Sequence, residues 1–164
     1  MKYLDLRPGD LIFTEPSDFI GRLIAKNQRI GYSHCGFIID RRFCESEIRT
    51  GVHSSDIVGR LNGKNLTVLR PNYKFNIDLF SASAFWKIGC KYDWRGIIYQ
   101  LIKEWTGRWI NETAKIDNNS FYCSKYYSYC MSKASNKFGD YEQISLNDLF
   151  NDSDFNFIYK GVLI

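Results

Sequence analysis

The sequence predicts an α+β fold, with an antiparallel sheet built mainly from its first half and helices concentrated in its second. Three observations carry that expectation. Short apolar runs bounded by turn residues recur between Leu11 and Leu69, apolar residues at helical spacing take over from Asp78, and one more strand-like run closes the chain. Pro numbers only 3 and no Ser/Gly/Pro-rich or single-charge stretch reads as a linker, so one domain over 1–164 is expected.

Taken in order, the turn signal Arg7-Pro8-Gly9-Asp10 precedes a short buried strand from Leu11 to Phe13. Ser17 or Asp18 can cap a helix that places Phe19, Ile20, Leu23 and Ile24 on one face and ends near Gly31. Ser33 to Ile39 reads as a strand, Arg42 to Glu47 as its partner across a tight turn at Asp40-Arg41, and Leu66 to Leu69 as a third, an antiparallel meander. From Asp78, Leu79, Ala82, Phe85 and Trp86 recur at helical spacing. Trp94 to Ile110 gives a longer helix with Ile97, Ile98, Leu101 and Trp105 on one side. Asn111 to Ser120 is polar and reads as loop, a helix starts at about Cys123, a short one follows Ser145, and Phe155 to Ile164 forms a terminal strand.

Composition narrows the function. A hydrophobic content of 45% with 16% aromatic residues implies a packed, aromatic-rich core. The net charge of +4 is spread with alternating sign, so no basic stripe suggests nucleic acid. The N-terminus lacks the apolar core of a signal peptide and no apolar run approaches the ~20 residues that span a bilayer, so a cytoplasmic protein without stable membrane insertion is expected. Five cysteines at irregular spacings argue against a disulfide framework and suit a reducing compartment.

Thiol chemistry needs a thiolate, a base to make it and a polar group to orient that base. With only 2 histidines the choice is small. His34 begins an apolar strand, a rigid support for an imidazole, whereas His53 follows Gly51 in a polar stretch. Cys123 follows a polar loop and heads a helical stretch, where unpaired N–H groups and a partial positive charge lower a thiol pKa and can hold an oxyanion. Cys130 lies two turns further in, and Cys35, Cys44 and Cys90 read as small core residues. Buried packing is the bland alternative for each thiol and for a strand histidine. No C-x-x-C or H-x-x-x-H spacing appears, so neither a metal nor an organic cofactor is expected.

The order of the motifs resembles the permuted papain-like amidases, the YaeF/YiiX-like branch of the NlpC-type cysteine hydrolases. The pieces are Arg7-Pro8-Gly9-Asp10-Leu11-Ile12-Phe13, Tyr32-Ser33-His34-Cys35-Gly36-Phe37-Ile38, Cys44-Glu45-Ser46 with Gly51-Val52, Gly89-Cys90-Lys91-Tyr92-Asp93-Trp94, and Phe121-Tyr122-Cys123-Ser124. The resemblance implies a circularly permuted papain-like fold, with an antiparallel sheet packed on the Cys-bearing helix. It also implies a triad of Cys123, His34 and a glutamate on the following strand. Glu45 fits that place and Glu47 is its rival on the same strand face. Tyr92 and Tyr122 are candidates to line the cleft, with core packing as the alternative. Two departures stand out: Lys125 replaces the usual Glu of a Cys-Ser-Glu motif, a cation that could favour the thiolate or an anionic substrate, and Cys35 follows His34 where an aliphatic residue is usual. The implied activity is cleavage of an amide or ester bond in a small peptide, amide or lipid substrate, cell-wall peptides included. The alternatives are a lipid acyltransferase or phospholipase and a non-catalytic binding or structural module on the same fold.

Overall fold

Apolar alternation in the first half produces a sheet that wraps one face around a single buried helix. The structure is a computed structural model describing residues 1–107, 119–139 and 141–163. Strand β1 (Leu11–Thr14) is followed by helix α1 (Phe19–Gln28) and strands β2 (His34–Ile39), β3 (Arg42–Glu47) and β4 (Gly51–Asp56). The short helix α2 (Ile57–Leu61), strand β5 (Asn65–Pro71), helix α3 (Ile77–Trp86) and strand β6 (Lys91–Tyr92) come next. Helix α4 (Trp94–Thr106), strand β7 (Ser120–Phe121), helices α5 (Cys123–Ala134) and α6 (Leu146–Phe150), and strand β8 (Phe155–Val162) complete the chain.

Six strands pair antiparallel in the order β4-β3-β2-β1-β5-β8, the α+β arrangement that the sequence predicts; the expected third meander strand, β5, pairs with β1 instead, because β4 takes the place beside β3, and β6 and β7 form a separate parallel pair. Alternation then sorts the core. Phe13, Cys35, Phe37, Ile39 and Cys44 face α3 and α5, while Ile12, Ile38, Phe43 and Val68 face α2 and the N-terminal segment. The Phe37 ring sits 4.9 Å from Tyr126, 5.2 Å from Phe80 and 5.4 Å from Tyr127, joining β2 to α3 and α5. Each such pair adds about 1 kcal/mol beyond burial. Because α5 is buried nearly all round, its tyrosine hydroxyls need partners: Tyr126 donates to the Ala84 carbonyl at 2.9 Å and Tyr127 to that of Gly9 at 3.3 Å. The Gly9-Asp10 turn is fixed from β5, where Arg70 donates to both oxygens of the buried Asp10 carboxylate at 2.7 Å each.

Several elements differ from their sequence-based expectation. Strand β4, expected as a polar stretch, is an edge strand whose residues from His53 to Asp56 are at least partly exposed on both faces, so it lacks the apolar alternation that would announce it. Helix α2 is too short for periodicity to register; Asp56 caps it, accepting from Gly59 N at 2.7 Å. Ser120, expected in a loop, belongs to β7 and Asn119 is a turn residue before it, while 111–118 of the expected loop lie outside the described residues. Helix α4 stops at Thr106 because Gly107 takes a left-handed conformation (φ 71°), and residues 108–110 of the expected helix also lie outside the described part. The helix faces differ too. α3 buries Phe80 and Ala84 and exposes Leu79, Ala82, Phe85 and Trp86; α4 buries Ile97 and exposes Ile98 and Trp105; α1 buries Ile24 and exposes Phe19 and Leu23. The side chain of Ile20 lies outside the described part. α3 is apolar on most sides and gives periodicity no single face to choose, whereas α1 and α4 have one apolar face each, of which packing buries only part. Among the described residues no helix is long and apolar enough to cross a membrane.

The β4 edge is docked to the β6 segment by Val52 N donating to Cys90 O at 2.9 Å and Gly89 N donating to Val52 O at 2.9 Å. Gly51 makes this approach possible: its φ is +67° and a Cβ there would lie 2.2 Å from the Cys90 carbonyl oxygen. Gly51→Ala is therefore expected to cost about 2–3 kcal/mol, read as a lowered urea midpoint.

Candidate active site

The register brings the base and a carboxylate together. Gly36 pairs with Glu45 across β2 and β3, and His34 lies two residues before Gly36, so His34 and Glu45 are diagonal neighbours on one sheet face. His34 Nε2 meets Glu45 Oε2 at 2.7 Å. Glu47, the sequence-level rival, instead contacts Arg60 and lies 3.8 Å from His53 Nε2.

Cys123 comes to the same place from the other side of the sheet. It is the first residue of α5, its N-cap Tyr122 supplies no side-chain cap, and the first-turn N–H groups therefore keep their donor capacity. The segment before it is fastened by Ser46 Oγ donating to Phe121 O at 2.6 Å and Asp93 N donating to the same carbonyl at 3.2 Å. Behind it, Ser124 Oγ donates to Ile144 O at 2.9 Å. His34, the Cys35 thiol and the Cys35 backbone N–H lie near enough to the Cys123 sulfur to lower its pKa. With Nε2 committed to Glu45, Nδ1 is the ring nitrogen left for the thiol.

The protonation states follow. The Cys35 thiol donating to its sulfur is the largest influence holding Cys123 well below the usual thiol range; burial opposes it, and the His34 hydrogen bond and charge add to it. Burial lowers the His34 pKa, but hydrogen bonds to Cys123 and Glu45 and their negative charges outweigh it and raise it to about 10. Burial raises Glu45, yet His34 and Arg60 bring it down to about 2. The arrangement is a thiolate-imidazolium pair backed by a carboxylate, the protonation pattern a cysteine nucleophile needs. Burial pushes three of the thiols the opposite way: Cys35 and Cys130 are raised, and Cys44 rises to about 12.

Two participants were not visible in the sequence. Arg60, on α2, donates to Glu45 Oε1 from Nε at 2.5 Å and to Oε2 at 2.8 Å. Two alternating carboxylates on one strand face, with one of them inward, signal the need for such a cation. Which of many basic residues supplies it depends on a helix too short to detect. His53, set aside as part of a polar stretch, pairs with Glu45 across β3 and β4 and places Nε2 3.3 Å from Glu45 Oε1. Cys35 packs in the core as expected and also serves as the thiol donor to Cys123.

Three expectations need correction or refinement. Tyr122 does not line a cleft: it is 1% exposed, its ring packs against Gly96, and its hydroxyl donates to Glu142 O at 2.5 Å. Lys125 does not face the thiolate or solvent, because its Nζ is held 2.9 Å from Asp93 Oδ2 and 5.4 Å from the Phe121 ring centroid, clamping α5 to the start of α4. Tyr92 is half-buried beside Trp94, close enough to Cys123 for the thiolate to help raise its pKa, after burial as the main cause.

His34, Glu45 and Glu47 can each bring one ligand atom within 4.8 Å of the others, a geometry able to hold a metal ion that no sequence spacing announces because it crosses strands. Arg60 already contacts both carboxylates, so a cation there would have to displace a guanidinium. The concavity lined by Met1, Leu4, Arg7, Arg70 and Tyr159 shares no residue with the Cys123 group.

Fold and site together define an α+β protein with a buried thiol, a half-buried histidine and a buried carboxylate at the meeting of a sheet and a helix start. A solved structure with the same fold is that of the metalloprotein yiiX from Escherichia coli O157:H7, at TM-score 0.57 and 14% sequence identity over 94% of this chain and 97% of that one. No family model matches the sequence, nor does any curated protein.

Proposed function

We propose that the protein is a cysteine hydrolase of amide or ester bonds with a permuted papain-like fold. The observation that carries the reading is the contact of His34 Nε2 with Glu45 Oε2 at 2.7 Å, next to a thiol at the start of α5 whose pKa His34 helps to lower. The Cys123 thiolate attacks the carbonyl carbon, forming a C–S bond, and first-turn N–H groups of α5 hold the oxyanion. Collapse breaks the bond to the amine or alcohol, which leaves with the proton of the His34 imidazolium. Neutral His34 then takes a proton from water as that water attacks the thioester, releasing the carboxylic acid and restoring the thiol pair. Glu45 fixes the ring orientation throughout.

Alkylation by iodoacetamide with site-resolved mass spectrometry tests this. Cys123 is expected to react with a pH midpoint well below 9.0, and ahead of the other thiols. Loss of the thiol donor in Cys35→Ala is expected to move that midpoint up by about one pH unit. Uniform labelling of all five thiols overturns the reading.

A second reading has a specific basis: the cluster of His34, Glu45 and Glu47, on the fold of a protein described as a metalloprotein. It makes the carboxylates metal ligands and Cys123 a bystander. Metal analysis of the purified protein, with alkylation repeated after chelation, separates the two. The hydrolase reading requires a Cys123 midpoint that chelation leaves unchanged.

A further inference from the structure

We propose that the exposed apolar face shared by α1 and α4 is a docking surface for an anionic lipid bilayer, presenting the Cys123 site to the membrane interface. Both helices start at the site. A Cβ at Gly21, in the first turns of α1, would lie 3.1 Å from Ser33 Oγ, next to His34, and one at Gly96, in the first turn of α4, would lie 2.6 Å from the Tyr122 ring, next to Cys123. The helices pack on each other, with Asn27 Nδ2 of α1 3.4 Å from Leu101 O of α4, so they leave the site side by side.

Their inner faces are spent on Ile24, Ala25 and Gln28 from α1 and Ile97 and Gln100 from α4. Their outer faces keep Phe19 74%, Leu23 51%, Trp94 47%, Ile98 51% and Trp105 85% exposed. Large aromatic and aliphatic side chains concentrated on two adjacent helices exceed the scattered apolar exposure of an ordinary surface. The charge around them selects the occupant. α1 carries Arg22 and Lys26 and is followed by Arg29, against one acid, its cap Asp18; α4 adds Arg95 and Lys103 against Glu104 and its cap Asp93, which is paired with Lys125, so the surface is basic on balance, and Arg22, Lys26, Arg29 and Arg95 are exposed. Aromatic and aliphatic residues flanked by Arg and Lys on a helical surface match the boundary between acyl chains and anionic headgroups, where the rings sit at the interface and the cations meet phosphates. A second copy of this chain would bring the same basic residues against each other.

Binding does not depend on turnover, so its test is separable from that of the hydrolase reading. Flotation of the full chain with vesicles of phosphatidylcholine alone, or of equimolar phosphatidylcholine and phosphatidylglycerol, measures it. Binding to the mixed vesicles is expected, with a weaker signal at high salt and on neutral vesicles, and Cys123→Ala should bind as the native chain does. Phe19→Ser combined with Trp94→Ser is expected to lower partitioning at least about tenfold, and each of Arg22→Gln and Lys26→Gln about fivefold. Phe19 is largely exposed, whereas Trp94 also packs on the Tyr92 ring, so a small fall in the thermal midpoint is expected and Phe19→Ser alone, also lowering partitioning, separates docking from stability. Three outcomes overturn the proposal: no flotation with either vesicle, flotation undiminished in the Phe19→Ser/Trp94→Ser chain, or self-association without flotation that this chain loses.

Discussion

Cys123→Ser is expected to reduce hydrolysis of any accepted substrate by at least about 10³-fold while leaving the fold intact. The side chain is 3% exposed and serine is nearly isosteric, so chemical denaturation should shift little. The loss comes from chemistry. A serine hydroxyl is far harder to ionise than this thiol, whose proton is already displaced by donors from Cys35 and His34. The same surroundings cannot bring a hydroxyl to its anion, and a site arranged around a preformed thiolate-imidazolium pair supplies little help for removing the proton during attack. His34→Ala should cost a similar factor, and the double variant no more than either single one, because the two residues act as a unit. Product formation from peptide amides, peptidoglycan fragments and lipid esters, followed by mass spectrometry for the native and variant proteins, checks both points and identifies the bond cleaved. Turnover that survives in Cys123→Ser would move the chemistry elsewhere.

What the sequence revealed of this site follows from how local each feature is. Cys123 was legible because a polar stretch followed by a helical pattern marks a helix start, and a helix start has electrostatic consequences wherever it sits. His34 was legible because an apolar strand begins with it. Glu45 emerged by resemblance, and what separates it from Glu47 is the β2-β3 register, in which Gly36 faces Glu45. Arg60 and His53 depend on β4 and α2, an edge strand without apolar alternation and a helix of one and a half turns, and neither leaves a periodic trace. The same limit explains α1, α3 and α4. Periodicity found the helices; α3, apolar on several sides, left its orientation to tertiary packing, and in α1 and α4 packing buried only part of the single apolar face. In α3 packing chose Phe80 and Ala84 over Leu79 and Trp86, and in α4 it left Ile98 and Trp105 outside. The fold class was thus readable from patterns along the chain, whereas the support of the Cys123, His34 and Glu45 group and the character of the surface beside it arise between elements.

Glu45→Gln should be costly in both stability and activity. The carboxylate is fully buried and both of its oxygens accept: Oε1 from Arg60 Nε at 2.5 Å, with His53 at 3.3 Å, and Oε2 from His34 Nε2 at 2.7 Å and from Arg60 at 2.8 Å. Glutamine keeps one acceptor and turns an N–H₂ group toward donors that cannot receive it, leaving a guanidinium and an imidazolium in partly buried positions without their counter-charge. A loss of about 3 kcal/mol is expected by urea denaturation at neutral pH. The pH dependence identifies the source. Glu45 falls from 4.5 to about 2 on folding, so its contribution is complete above pH 4.5 and disappears as the pH drops toward 2. His34 rises from 6.5 to about 10, so its contribution is complete below pH 6.5 and is lost as the pH climbs through 10. Glu45→Gln should therefore flatten the acid limb of the native stability profile. The alkaline limb should move to lower pH, since the imidazolium loses one of the two anions that raise its pKa. Activity should fall by about 10²–10⁴-fold, because the ring loses the group that orients it and stabilises its charge. A variant that kept native stability between pH 2 and 5, or native turnover at neutral pH, would show that Glu45 is not the residue that holds His34 in place.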